Sequence, residues 1–286
     1  MLKGLYTAYT GMINEQNRMD VLANNLANAA TTGYKKEGTT SQAFDDVLAY
    51  KIKDESAVAN LPKRIGVNTP GVKIGENYTD WSEGSFHETG NTYDIAIAGQ
   101  GIFTVEFRSK ASVDPVTGEQ QEGTASIKYT RDGTFKLDNN GYLVTADGDR
   151  VLGTNNQYIR LDPLKTTNID ELGNISQNGT RIAKLQITDF TDYNYLEKYG
   201  ENYYQPVEGA TTQASNVKIY QGYLETSNIQ VVQEMVNMIA IQRAYESNQK
   251  LIQTYDGSLE IAVTQLGKLY NRRLLWLEAY GAVRPE

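Results

Sequence analysis

A chain of 286 residues with 40% apolar and 22% charged side chains is long enough for one large domain or two modest ones and reads as globular rather than disordered. Its 35 acidic and 27 basic residues leave a net charge of −8, and the scattered Lys and Arg form no basic stripe, which argues against nucleic acid or an anionic membrane surface as a partner. The absence of cysteine excludes disulfides and thiolate chemistry, and the lack of any apolar run of about eighteen residues argues against membrane insertion.

The opening stretch MLKGLYTAYTGMINEQNR lacks the unbroken apolar core of a secretory signal, so any export is expected to use another route. Leu2, Leu5, Tyr9, Met12, Gln16, Met19, Ala23, Leu26 and Ala30 recur at alternating spacings of three and four, the seam of a heptad pattern. The pattern stops at Thr31-Thr32-Gly33, where glycine can take a left-handed capping conformation. On the opposite side of this helix Asn24, Asn25 and Asn28 share one arc, extended by Asn17, Asn14 and Thr10. Asparagine is a poor interior helix residue, and an uncharged amide stripe suits contact with close-packed backbones rather than bulk water. The expectation is a helix with one face toward a partner helix and the other toward neighbouring molecules.

Residues 36–75 are polar and mixed, with a short helical candidate around Phe44, Val47, Leu48 and Ile52 and with Pro62 and Pro70 nearby; they read as an extended connector. From about residue 76 the texture becomes β. DIAIAGQGIFTVEF is rich in strand formers, and short strands near residues 129–131, 134–137 and 142–145 are separated by Asp132-Gly133 and Asn139-Asn140-Gly141, residues that accept positive φ in hairpin turns. Further strands are expected over 182–190, after Asn178-Gly179, and over 216–223. The heptad pattern then returns at Val231, Met235, Met238, Gln242, Tyr245, Gln249, Ile252, Asp256, Leu259, Val263 and Leu266, with Ser227 or Asn228 as its cap. The two terminal helices either pair as a coiled coil or pack separately on a globular core. The fold class is α+β: residues 1–35 with 224–286 as a terminal helical coiled-coil layer, 36–75 as connector, and 76–223 as an inserted β-rich outer domain.

Catalytic signatures do not assemble. Gly99-Gln100-Gly101 has Thr104 where a dinucleotide fingerprint needs glycine, and a bend passed closely by another backbone fits better. Asp138, Asn140 and Asp149 begin like a calcium loop, but Tyr142 and Leu143 occupy a ligand and the glycine position. His87 is the only histidine, which leaves a histidine-based metal site or catalytic triad unsupported. No enzyme activity, cofactor or metal is expected. The 20 tyrosines suit sugar or partner binding as well as exposed strands, so a surface carbohydrate-binding or hydrolytic β module stands as the alternative from another class.

VLANNLANAATTGYKK with MLKGLYTAYTGM resembles the N-terminal signature of the bacterial flagellar rod and hook protein family, and GYLETSNIQVVQEMVNMIAIQRAYESNQKLI resembles its C-terminal signature. GNTYDIAIAGQGIFTVE, YTRDGTFKLDNNGYLVTADGDRVLG and YGENYYQP resemble the β-rich domain of its rod members, most closely those of the distal rod; the other β-bearing, proximal tier is the nearest alternative. Ile102 stands where the family usually has an aromatic, and residues 270–286 run past the usual end. The resemblance implies a structural subunit that polymerises into a helical tube transmitting motor torque to the hook. It implies export through the flagellar type III apparatus without a cleaved signal and an extracytoplasmic place in the basal body. Its partners would be copies of itself, other rod proteins and the hook protein. On the same basis the assembly residues would be Asn24, Asn25, Leu26, Asn28, Gly33, Met235, Val236, Met238, Ile239, Gln242, Arg243, Tyr245 and Glu246.

Overall fold

The computed structural model describes residues 2–51, 63–108, 112–113, 120–121, 125–200, 202–213, 215 and 217–281. Ile52 of the helical candidate and the final five residues lie outside them. The chain forms two compact units, one of residues 1–23, 39–77 and 235–286, the other of residues 24–38 and 78–234.

The first unit contains most of two long helices, α1 (Leu2–Ala27) and α2 (Val231–Gly281). They run antiparallel in contact: a Cβ added to Gly4 would fall 2.6 Å from Tyr255 Oη, and one added to Gly11 would fall 3.1 Å from Asn248 Nδ2. Each step is seven residues, in opposite directions. Half of each expected seam is the inward face, with Leu5, Met12 and Met19 on α1 and Met238, Tyr245, Ile252 and Leu259 on α2 at least partly covered. The other half is displaced by one residue, to Ala8, Glu15 and Leu22 and to Ile241, Asn248 and Tyr255. The physical reason is that a three-four pattern can be drawn in two ways through the same anchor positions, and this alternative leaves Gln16, Gln242, Gln249 and Asp256 in water, where their polar groups incur no desolvation cost.

Residues 36–75 are not a featureless connector. Glu37–Ala43 pairs with Val72–Thr79, and Val47–Lys51 pairs with Lys63–Asn68, so the helical candidate at Val47 and Leu48 is a strand. Its β-branched and aromatic content suits a pleated surface better than its brief helical spacing suits a helix of this length. Neither Ser227 nor Asn228 caps α2. The helix begins at Val231, and Asn228 spends its side chain on other segments. α2 continues unbroken through residues 270–281.

The second unit is built on an antiparallel sheet in the order Phe135–Leu137, Leu143–Thr145, Arg150–Gly153, Ile102–Arg108, Ala125–Thr130, Tyr203–Pro206, Leu196–Tyr199. Ile102–Arg108 is buried on both faces. Phe103 and Val105 join Ile95, Ile97, Phe135, Leu143 and Val151 in the larger core, while Ile102 packs with Phe190, Leu196 and Tyr204 on the other side. The isoleucine after the GQG bend is therefore fully enclosed. The Asn178-Gly179 turn has positive φ at both residues (49° and 80°), the geometry of a tight hairpin. It joins Asn174–Gln177 to Thr180–Lys184, and the expected strand over 182–190 breaks in two before Ile187–Phe190. Gly133 serves a different purpose from the positive-φ turn expected of it: a Cβ there would sit 1.6 Å from the Ile95 carbonyl oxygen, so glycine is required by the close passage of two backbones.

The β-rich unit includes residues 24–38, among them Tyr34 and Lys35 at 1% and 2% exposure. A fragment spanning 24–234 is expected to unfold cooperatively on heating, whereas one spanning 76–223 lacks that segment and is expected to melt broadly. Circular dichroism and calorimetry of the two fragments check this.

Candidate assembly interface

The residues that leave α1 and those that enter α2 meet, within the β-rich unit, around one carboxylate. Glu225 closes the strand Tyr223–Glu225 and is 3% exposed. Its Oε1 accepts from Lys35 Nζ at 2.7 Å and from the Gly84 N–H at 2.9 Å, and its Oε2 accepts from Arg131 Nε at 2.5 Å. The remaining Arg131 N–H groups donate to the carbonyls of Ile97 and Gly99, both at 2.8 Å, and of Gly101. The GQG bend is thus a cradle of carbonyl oxygens for a guanidinium. Gly33, at φ 67°, donates its N–H to the Glu225 carbonyl at 2.8 Å. A Cβ there would fall 2.5 Å from the Arg131 backbone, so both the left-handed φ and the contact exclude a side chain. Gly33 lies six residues beyond the end of α1 and is not its cap.

Burial opposes ionisation of Glu225, but Arg131 and Lys35 overcome it and hold the carboxyl below the usual carboxylate range. Burial also pushes the Lys35 ammonium down, against the pull of Glu225. The two shifts pull in opposite senses for an ion pair. Three donors on the carboxylate decide for the ionised state at neutral pH. Beside this cluster Lys36 Nζ donates to Glu234 Oε1 at 2.5 Å in the first turn of α2, and the Lys36 N–H donates to Asn228 Oδ1 at 2.8 Å.

The asparagines answer to their own chain. Asn25 is fully buried; its Nδ2 donates to the Glu37 carbonyl at 2.7 Å and its Oδ1 accepts from the Glu37 N–H at 3.0 Å. Asn24 Oδ1 accepts from Tyr34 Oη at 3.1 Å and from Asn28 Nδ2 at 2.8 Å, and Lys198 Nζ donates to that tyrosine oxygen. In the helical unit Asn14, 4% exposed, exchanges hydrogen bonds with Ser41 Oγ, and Thr10 is buried beside Gly71. The stripe expected to face neighbouring molecules is therefore largely turned inward, because strand backbone supplies the partners that buried amides require.

The C-terminal residues fall into two groups. Met235, Val236, Ile239, Gln242, Arg243 and Glu246 are exposed on one face of α2, the three apolar ones at 51%, 55% and 51%. Met238 and Tyr245 lie half-buried on the seam instead, and of the N-terminal residues Leu26 and Asn28 are half-buried and Asn24 exposed. A solvent-facing cluster of large apolar side chains at the start of a long helix marks a surface made for contact. Among the described residues no helix is long and apolar enough to cross a membrane.

Comparison with known proteins fits this arrangement. Family models described as "Flagella basal body rod protein", "Flagellar hook protein FlgE/F/G D1 domain" and "Flagellar basal body rod FlgEFG protein C-terminal" match residues 5–35, 117–180 and 220–266. The chain is 34% identical to the flagellar basal-body rod protein FlgG of Buchnera aphidicola subsp. Schizaphis graminum, with 91% of this chain and 98% of that protein covered. The chain belongs to the flagellar basal-body rod protein family. It is also 33% identical to the flagellar hook-basal body complex protein FlhO of Bacillus subtilis, over 94% of this chain and all of that protein. Against the rod protein FlgF of Caulobacter vibrioides it is 32% identical, with the same coverage. Membership in the rod family makes it a structural subunit rather than an enzyme, and it selects that reading over a carbohydrate-binding or hydrolytic module.

Glu225, Arg131, Lys35, Glu234 and Lys198 escaped the sequence reading. Lys35 and Glu225 are 190 residues apart and Arg131 and Glu225 are 94 apart, and each sits in a polar segment that looks solvated. The only local hint is the density of glycine and hydroxyl residues around them, which permits close backbones. Glu225→Gln would leave two buried cations without a carboxylate and is expected to lower stability by about 3–5 kcal/mol, measured by urea unfolding. The pH dependence has a definite sign. Because the folded pKa lies below the unfolded value of about 4.3, the contribution of Glu225 is complete above that value and is lost as pH falls through the folded pKa. The stability gap between wild type and Glu225→Gln should accordingly narrow in acid.

Proposed function

We propose that this chain polymerises with copies of itself into the helical tube of the flagellar rod, at its distal tier, and that the tube transmits motor torque to the hook. In this reading α1 and α2 form a coiled-coil layer with those of neighbouring copies, and the β-rich unit packs outside it. The observation that carries it is the exposed apolar face of α2, where Met235, Val236 and Ile239 stand in water on a chain that buries and pairs Glu225, Arg131, Lys35 and Asn25. Burial of such side chains is worth about 1.5–3 kcal/mol each, and a surface of this kind is retained where a partner covers it. Gln242, Arg243 and Glu246 extend this face of α2, and Asn24, Leu26 and Asn28 make a separate assembly contact at the end of α1; Asn25, Gly33, Met238 and Tyr245 support assembly from within the chain.

The FlgG, FlhO and FlgF relatives are 34%, 33% and 32% identical to this chain, and the distal tier rests on the likeness of the middle segments to the distal rod. Other rod proteins and the hook protein are the neighbours at either end, and the chain reaches its extracytoplasmic place through the flagellar type III apparatus without a cleaved signal. Purified protein is expected to form sedimentable filaments as concentration rises, and Val236→Asp to stay monomeric with an unchanged melting temperature. Wild-type protein that remains monomeric at every concentration, by analytical ultracentrifugation and electron microscopy, would overturn the reading.

A further inference from the structure

A second apolar surface lies within the helical unit. Tyr9 and Ile13 of α1, with Phe44, Val72 and Ile74 from the strand segments beside it, line a groove of about 320 Å³ with Lys73 in its lining. Tyr9, Ile13 and Ile74 are 51%, 36% and 36% exposed, and the Lys73 ammonium is 6.0 Å from the centre of the Phe44 ring.

The position of this groove on α1 is informative. Gly4 and Gly11 face α2, and at about 100° per residue Tyr9 and Ile13 lie roughly 140–180° around the helix from them. On α2, Asn248 and Tyr255 face α1, and Met235, Val236 and Ile239 lie on average roughly 160° away from those two. The groove and the strip therefore point away from the helix-to-helix contact in opposite directions. Two different apolar patches on opposite sides of one unit cannot make a closed two-fold dimer through like surfaces. They make a head-to-tail contact, which grows into a ring or an open helical filament.

Resting on the self-assembly reading above, we propose that the α2 strip of one copy, Met235, Val236 and Ile239, seats in the groove lined by Tyr9, Ile13, Phe44, Val72 and Ile74 of the next. The charges fit this pairing. Glu246 lies on the same face as Ile239, two turns on, at about 10.5 Å along the axis, and it supplies an anion for the lysine of the groove. The contact uses side chains from three separate segments of the receiving copy, so it selects for the folded unit rather than for a free helix.

Head-to-tail geometry allows a test that other contacts do not. Ile13→Asp damages only the groove and Ile239→Asp only the strip. Each variant alone is expected to raise the concentration needed for polymerisation by about tenfold or more. Mixed in equal amounts, they retain one intact groove and one intact strip between them, and sedimentation should show heterodimers that grow no further. Heterodimer formation itself shows that both variants are folded. Lys73→Glu and Glu246→Lys should each weaken assembly and together restore it. If wild-type protein polymerises and the single variants do so equally well, the groove is covered by something else and this inference falls while the rod reading stands. Variants that fail singly yet give no heterodimer when mixed also overturn it. A wild-type chain that stays monomeric would remove the reading on which it rests.

Discussion

One buried carboxylate decides how three separate segments of the β-rich unit are tied together. Glu225 draws the segment after α1, through Lys35 and Gly33, the turn after Ala125–Thr130, through Arg131, and the Gly84 backbone to a single point with almost no solvent. A buried ion pair contributes little net stability against an apolar substitute of the same shape. Its value here is selectivity: two cations and a carboxylate tolerate no other arrangement of the three segments, since any other leaves an unpaired charge out of water. The carbonyls of Ile97, Gly99 and Gly101 complete the cage around Arg131, so the GQG bend and the segments that carry Lys35 and Glu225 are specified together.

Much of the architecture was legible because it repeats locally. Two long helices, a β-rich middle and the Asn139-Asn140-Gly141 turn between Phe135–Leu137 and Leu143–Thr145 all follow from spacings of a few residues. The seams show the limit of that reading. Leu5, Met12, Met238 and Tyr245 were placed correctly, but the alternate positions were not, since Gln242 and Gln249 obey the spacing while their amides prefer water. Val47 and Leu48 show another limit, for a short run carries too little periodicity to separate a strand from a helical turn.

The candidate site divides in the same way between what local spacing carries and what it does not. Met235, Val236 and Ile239 are named by the likeness to the rod family, whereas the spacing places Met235 on the seam and the structure leaves it exposed. Asn25 and Asn14 were assigned to contact correctly in kind and wrongly in direction, because their partners, Glu37 and Ser41, lie in a segment whose strands the sequence conceals. Lys35, Arg131 and Glu225 are joined across distances along the chain over which single-sequence patterns carry no information.

The pairing of Asn25 with Glu37 reaches further than the turn it fixes. A side-chain amide presents the same donor and acceptor as a peptide group, and Asn25 uses both on the outward backbone pair of Glu37. The first residue of the strand Glu37–Ala43 is thereby sealed by a helix side chain in place of another strand. An open strand edge is a template for adding strands from other molecules without regard to register. Closing that end means that any contact made at this place has to run through shaped side chains, where geometry can be enforced, instead of through continued sheet.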